Sequence, residues 1–199
     1  TSANQFDHPN EINAVKTAAV SDNGTTLVVG FADGLVEVWD LTDITNQSPK
    51  VTASKALGST PIKGVIISAD DQVIAYQGGN SFVKLLSIAN DSQSAQISGR
   101  LPRGNPISPD SKMIGIIQIE DTKNIINLHS LSPTAPQSMF KLYNFPITAS
   151  VNDMVNGSIS YSPDSNMLTA FAGGDFKYWS TSSGLELKES LPKREGKCY

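Results

Sequence analysis

Apolar residues in this chain come in short runs. The segments 25–32, 35–41, 72–78, 82–88, 112–119, 124–131 and 166–172 are rich in β-branched and aromatic residues and stop at Gly, Asp, Asn, Ser or Pro, as strands do. No window sustains an i, i+3, i+4, i+7 apolar stripe over three turns, so the pattern predicts strands and no long amphipathic helix. Several of the runs are apolar on both faces instead of alternating, which is expected of a small sheet held between two neighbouring sheets. The fold class that follows is all-β.

One turn recurs between the runs. Ser21-Asp22-Asn23-Gly24, Ser68-Ala69-Asp70-Asp71, Ser108-Pro109-Asp110-Ser111 and Ser162-Pro163-Asp164-Ser165 each precede a strand pair. Pro at the second position pre-sets φ near −65°, and Asp or Asn at the third can bond its own backbone. A second polar turn divides each pair: Ala32-Asp33-Gly34, Gly78-Gly79-Asn80, Glu120-Asp121-Thr122-Lys123 and Gly173-Gly174-Asp175. The pairs close at Trp39-Asp40, Leu86-Ser87, His129-Ser130 and Trp179-Ser180. More polar runs follow at 50–57, 94–99, 138–144 and 185–190, and apolar ones precede the serines at 14–20, 62–67 and 157–161. Only the third repeat lacks a clean leading strand, because Pro102 and Pro106 interrupt 100–107 and proline cannot donate to a ladder.

The leading serines lie 47, 40 and 54 residues apart. A drifting period of that size, filled by four short strands, is the signature of a β-propeller blade. The stretch VKTAAVSDNGTTLVVGFADGLVEVWDLT at 15–42 resembles a WD repeat in its Ser-led turn, its Asp-Gly turn and its closing Trp-Asp. The likeness is strongest at 15–42 and 157–181. It implies four-stranded antiparallel blades: blade 1 over 12–58, blade 2 over 59–99, blade 3 over 100–144 and blade 4 over 157–191. An N-terminal arm or link (1–11), an insertion (145–156) and a C-terminal link or tail (192–199) complete the expected layout. Because the family more often closes with seven blades, four blades are expected to be part of a larger propeller, continued by further repeats in the same chain or by a second copy. In the family, a His in the inter-blade link, the Asp of the second turn and the closing Trp form a buried hydrogen-bonded group. The resemblance carries those structural roles to His8, Asp33 and Trp39, with Asp40 and Trp179 at matching closing positions.

Charge narrows the function. The chain has 15 Lys plus Arg against 19 Asp plus Glu, a net charge of −4, and its only adjacent basic pairing of note is Lys193-Arg194. That is not the basic footprint nucleic-acid binding needs. No apolar run approaches the roughly 20 residues that span a bilayer. One cysteine, Cys198, allows neither an internal disulfide nor a multi-cysteine metal site. A nucleophile with its base needs a His nearby, and the chain has only two, His8 and His129. His129 falls where a structural Trp is expected and reads as packing between blades. The sequence therefore predicts no catalytic residue, no metal site and no cofactor.

What remains is surface. Arg100 and Arg103 flank Leu101-Pro102 in the link between blades 2 and 3, and Lys63 heads the neighbouring inner strand. By resemblance, these links open on the rim that WD-repeat proteins present to partners. With Asn152 and Asp153 of the insertion, they form the candidate contact for another protein or peptide, since arginine is enriched at interface hot spots. The expected function is a non-catalytic protein-interaction scaffold, cytoplasmic by analogy with the family, although the richness in Ser, Thr and Asn suits an exported protein too. The alternative is a propeller that binds or hydrolyses a small molecule or glycan near its axis.

Overall fold

The structure is a computed structural model and describes residues 14–43, 45, 50–56, 59–79, 81–90, 94–120, 123–142, 158–172 and 175–187. These residues form strands and turns, with no helix among them. Four separate sheets follow one another along the chain. Blade 1 is β1 (Val15–Val20), β2 (Thr26–Phe31), β3 (Leu35–Asp40) and β4 (Lys50–Ala56), hydrogen-bonded in that order and antiparallel throughout. Blade 2 repeats the arrangement with β5 (Gly64–Ile67), β6 (Val73–Gln77), β7 (Phe82–Ser87) and β8 (Ser94–Ser98). Consecutive strands pair because only a turn of a few residues separates them, which suits antiparallel hairpins and meanders.

The core is divided among the faces between blades. Val28, Val36 and Val38 of blade 1 meet Ile62, Ile74, Tyr76 and Leu86 of blade 2. Val73, Ala75, Val83 and Leu85 of blade 2 meet Ile107, Ile114 and Ile116 of blade 3. Met113, Ile117, Ile126 and Leu128 of blade 3 meet Ile159, Leu168 and Trp179 of blade 4. A middle blade thus buries both faces, which is why β6 is buried at every position. Close approach of the sheets requires glycine at two places: a Cβ on Gly30 would lie 2.5 Å from Ile62, and one on Gly115 would lie 2.5 Å from Ile159.

Each Ser-led turn is built the same way. The leading serine hydroxyl donates to the third residue's side-chain oxygen, as in Ser68 to Asp70 (2.6 Å), Ser108 to Asp110 (2.6 Å) and Ser21 to Asn23 (2.8 Å). The serine Oγ in turn accepts the N–H that opens the second strand, from Thr26, Val73, Met113 and Met167, each at 2.9 Å. The fourth residue takes a positive φ, at Asp71 (55°), Ser111 (57°), Ser165 (61°) and Gly24 (73°), a conformation that costs a residue with a Cβ about 1–2 kcal/mol. In three turns that residue reaches back to the blade before. The Asp70 N–H donates to Ser111 Oγ (3.1 Å), the Asp110 N–H donates to Ser165 Oγ (3.0 Å), and Asn23 Nδ2 donates to Asp71 Oδ2. These bonds clasp each blade to its successor along one rim.

Blade 3 departs from the pattern. Its sheet comprises β10 (Met113–Glu120), β11 (Lys123–Ser130) and β12 (Ser138–Leu142). In the place of an inner strand, the 100–107 link touches β10 only through the bridges Arg100↔Ile117 and Ile107↔Ile114. Between those bridges the link leaves its own sheet. There it forms β9 (Arg103–Gly104), which pairs in parallel with β13 (Ser158–Tyr161) of blade 4. Blade 4 continues through β14 (Met167–Ala172) and β15 (Asp175–Ser180), giving the order β15-β14-β13-β9, and Glu186 bridges to Trp179 on the outer side. The prolines account for the detour: Pro102 and Pro106 withdraw two donors from the ladder with β10.

Candidate functional site

The detour makes a cavity. A recess of about 420 Å³ lies between the head of β5 and the 100–104 link, lined among others by Lys63, Gly64, Gln77, Arg100, Arg103 and Gly104. Gln77 holds both walls. Its backbone carbonyl accepts the Lys63 N–H (2.7 Å), its Oε1 accepts the Leu101 N–H (2.9 Å), and its Nε2 donates to the Gly99 carbonyl (3.4 Å). Gln77 is itself buried, so these bonds are made away from competing water. Gly99 and Gly104 stand at φ of +130° and +87°, and a Cβ on Gly104 would meet the Ile159 carbonyl oxygen at 2.4 Å. The link can therefore follow this path only with glycine there.

Three of the five residues expected on the rim meet at this recess: Lys63, Arg100 and Arg103. Lys63 and Arg103 are exposed and Arg100 is half-buried. None of the three is ion-paired with a described residue, whereas Lys112, Lys141 and Lys177 pair with Asp110, Glu120 and Glu186. Asn152, Asp153 and the 145–156 insertion lie outside the described residues, as do His8, Cys198 and the expected terminal segments. Sequence reasoning did not single out Gln77 or Gly104. The available signal was Gln77 itself, a polar residue ending the otherwise apolar run VIAYQ.

Of the residues expected in structural roles, Asp33, Trp39, Asp40 and Trp179 are among those described. Trp39 and Trp179 stand opposite Leu27 and Leu168, each six residues after a leading serine, and both tryptophans are buried. Leu86 and His129 hold the same position in blades 2 and 3, opposite Ile74 and Ile114. Asp33 caps its turn by accepting the Leu35 N–H (3.0 Å). Asp40 is exposed, and its carboxylate accepts the Thr42 hydroxyl (2.7 Å) and N–H (2.8 Å), bonds that hold its pKa below the ordinary carboxylate value. Burial pushes the Tyr76 phenol up to about 12 and pulls the His129 imidazole down. Among the described residues, no group of three or more His, Cys, Asp or Glu is placed to hold a metal ion.

No family model and no curated protein matches the sequence. Solved structures do match the fold. One is a chain in the crystal structure of the mitotic checkpoint complex, with a TM-score of 0.63 and 15% identity over 89% of this chain and 51% of that one. Another is the β-propeller domain of Myceliophteria thermophila Cps50 (Swd1), with a TM-score of 0.64 and 16% identity over 86% of this chain and 55% of that one. The fold is a β-propeller's. The strand-and-turn reading of the sequence predicted that fold, and the chain spans about half the length of the solved chains it matches.

Proposed function

We propose that the chain is a non-catalytic propeller scaffold, part of a larger propeller, on whose rim a partner protein docks at Lys63, Arg100 and Arg103. One observation supports this reading above the others. The link between blades 2 and 3 leaves its own sheet to frame a recess, and the three cations beside it have no carboxylate partner among the described residues. A further blade following blade 4 is part of the reading. The face of blade 4 turned away from blade 3 exposes Met167, Phe171, Phe176 and Leu185, the kind of apolar sheet face that the other blades bury against a neighbour.

The test is cross-linking in cells with the tagged chain, compared with a Lys63→Ala/Arg100→Ala/Arg103→Ala variant and a Lys141→Ala control of matching thermal stability. The expected outcome is at least one protein recovered with the parent chain and the control and reduced about tenfold or more with the triple variant, the scale of losing interface hot spots. An identical set of cross-linked proteins from all three would sink the proposed rim.

A further inference from the structure

The recess has a chemistry beyond being a contact. We infer that it receives an extended, acidic peptide segment of the partner, carboxylates against Lys63, Arg100 and Arg103 and backbone along the edge of β5. This rests on the rim reading above and adds the class of ligand.

Charge comes first. The chain carries a net charge of −4, yet the described residues that line this recess include three cations and no carboxylate. Lys141 and Lys177 lie beside carboxylates of their own chain, Lys141 to Glu120 at 2.6 Å and Lys177 to Glu186 at 3.3 Å. Among the described residues, neither Arg100 nor Arg103 has a carboxylate partner. A guanidinium's planar fork of donors matches a carboxylate in bidentate fashion, and the half-burial of Arg100 strengthens such a pair relative to one in open water.

Shape comes second. One wall is β5, which stands first in the order β5-β6-β7-β8 and so has one edge without a strand partner in its sheet, and residues Gly64 to Ile66 of that strand line the recess. An unpaired strand edge recognises an extended peptide through main-chain hydrogen bonds, with side-chain pockets adding specificity. The opposite wall is main chain as well, the 101–104 segment, whose end is fixed by pairing with β13. Its near end is fixed by Gln77. Both walls are thus set before a ligand arrives, which reduces the ordering cost of binding. The volume of about 420 Å³ falls within the range of sites that enclose small ligands or a few residues.

The experiment titrates the full chain with three fluorescent ten-residue peptides of alternating sequence, Asp-Val, Asn-Val and Lys-Val repeats, read by anisotropy at low and high salt. Amide chemical shifts locate the contact. The acidic peptide is expected to bind about tenfold or more tightly than the other two, to weaken as salt rises, and to move the amides of Gly64, Leu101 and Gly104. Arg100→Glu/Arg103→Glu is expected to lose the acidic peptide and gain the basic one. Arg100→Gln/Arg103→Gln, a milder change that keeps the side-chain length, weakens the acidic peptide without that gain, and Lys141→Glu changes nothing. The inference is overturned by equal binding of the neutral peptide, by no binding at millimolar peptide, by shifts elsewhere on the chain, or by an RNA oligonucleotide binding as tightly as the acidic peptide. The rim reading fails separately: a cross-linked partner that the triple variant loses but the acidic peptide does not displace removes this inference and leaves the rim in place.

Discussion

The two outer faces of the blade series are alike in sequence and opposite in exposure. On blade 1, the face turned away from blade 2 carries Leu27, Val29, Phe31, Leu35 and Trp39, and Val29, Phe31 and Trp39 are at most 8% exposed. On blade 4, the face turned away from blade 3 leaves Phe171 53% exposed and Leu185 68% exposed. Both strand pairs read as apolar on two faces, so periodicity alone assigns them the same environment. The difference teaches that the pattern reports what a face is suited to meet, and that only the structure tells which face has met it.

Substitutions break this comparison in graded steps. Trp39→Ala is expected to lower stability by about 3–5 kcal/mol, the cost of emptying a buried aromatic site, and a loss below about 1 kcal/mol in chemical denaturation would show that the blade 1 face is open after all. Trp179→Ala, at the matching position between blades 3 and 4, should cost a similar amount. Ser108→Ala comes next, at about 1–3 kcal/mol, since it leaves the Met113 N–H without its hydroxyl acceptor at a buried site. Ser162→Ala removes the same bond at a less buried turn and should cost less, so equal losses would contradict the difference in environment. Phe171→Ser with Phe176→Ser closes the order: stability within about 0.5 kcal/mol of the parent, and less self-association by light scattering.

Acid provides a separate probe of the inter-blade faces. Neither ring nitrogen of His129 has a hydrogen-bond partner, and burial holds its pKa below the ordinary 6.5. The unfolded chain therefore takes up this proton first as pH falls. The stability that His129 contributes is full above the unfolded value and is lost as pH drops from there toward the lower folded value. His129→Leu should flatten the stability curve as pH falls below the ordinary value of 6.5, and an unchanged slope there would place the imidazole in water. A second decline should remain at lower pH. The Ser162 hydroxyl and Asn166 N–H hold the Asp164 carboxyl below its usual range, and the Thr42 hydroxyl and N–H do the same for Asp40. Those contributions are present above the unfolded carboxylate value of 3.8 and are lost below it.

Much of this architecture is legible in the residues. Strands β4, β8 and β13 fall within the runs 50–57, 94–99 and 157–161, because turn chemistry on either side bounds them, and the two prolines of 100–107 announce the missing inner strand. The destination of that link is not legible. Pairing of Arg103 and Gly104 with Ser158 and Ile159 joins residues more than fifty positions apart, and no local propensity encodes it. Of the recess, Lys63, Arg100 and Arg103 were legible as cations of a strand head and the link that follows its blade. Gln77 was not, since a single polar residue ending an apolar strand has many uses. The clasp was equally hidden, because its bonds join turns more than forty residues apart.

That clasp gives the rim a grammar. Each link in it joins the third residue of one turn, the donor, to the fourth residue of the next turn, the acceptor, so the series has a beginning and an end. Asp164 holds the donor position that Asp70 and Asp110 hold, and the turn of blade 1 offers Gly24 at the acceptor position. Glycine has no side chain to answer with. A blade that extended this clasp from Asp164 would need an oxygen-bearing residue in fourth place, which the turn of blade 1 lacks.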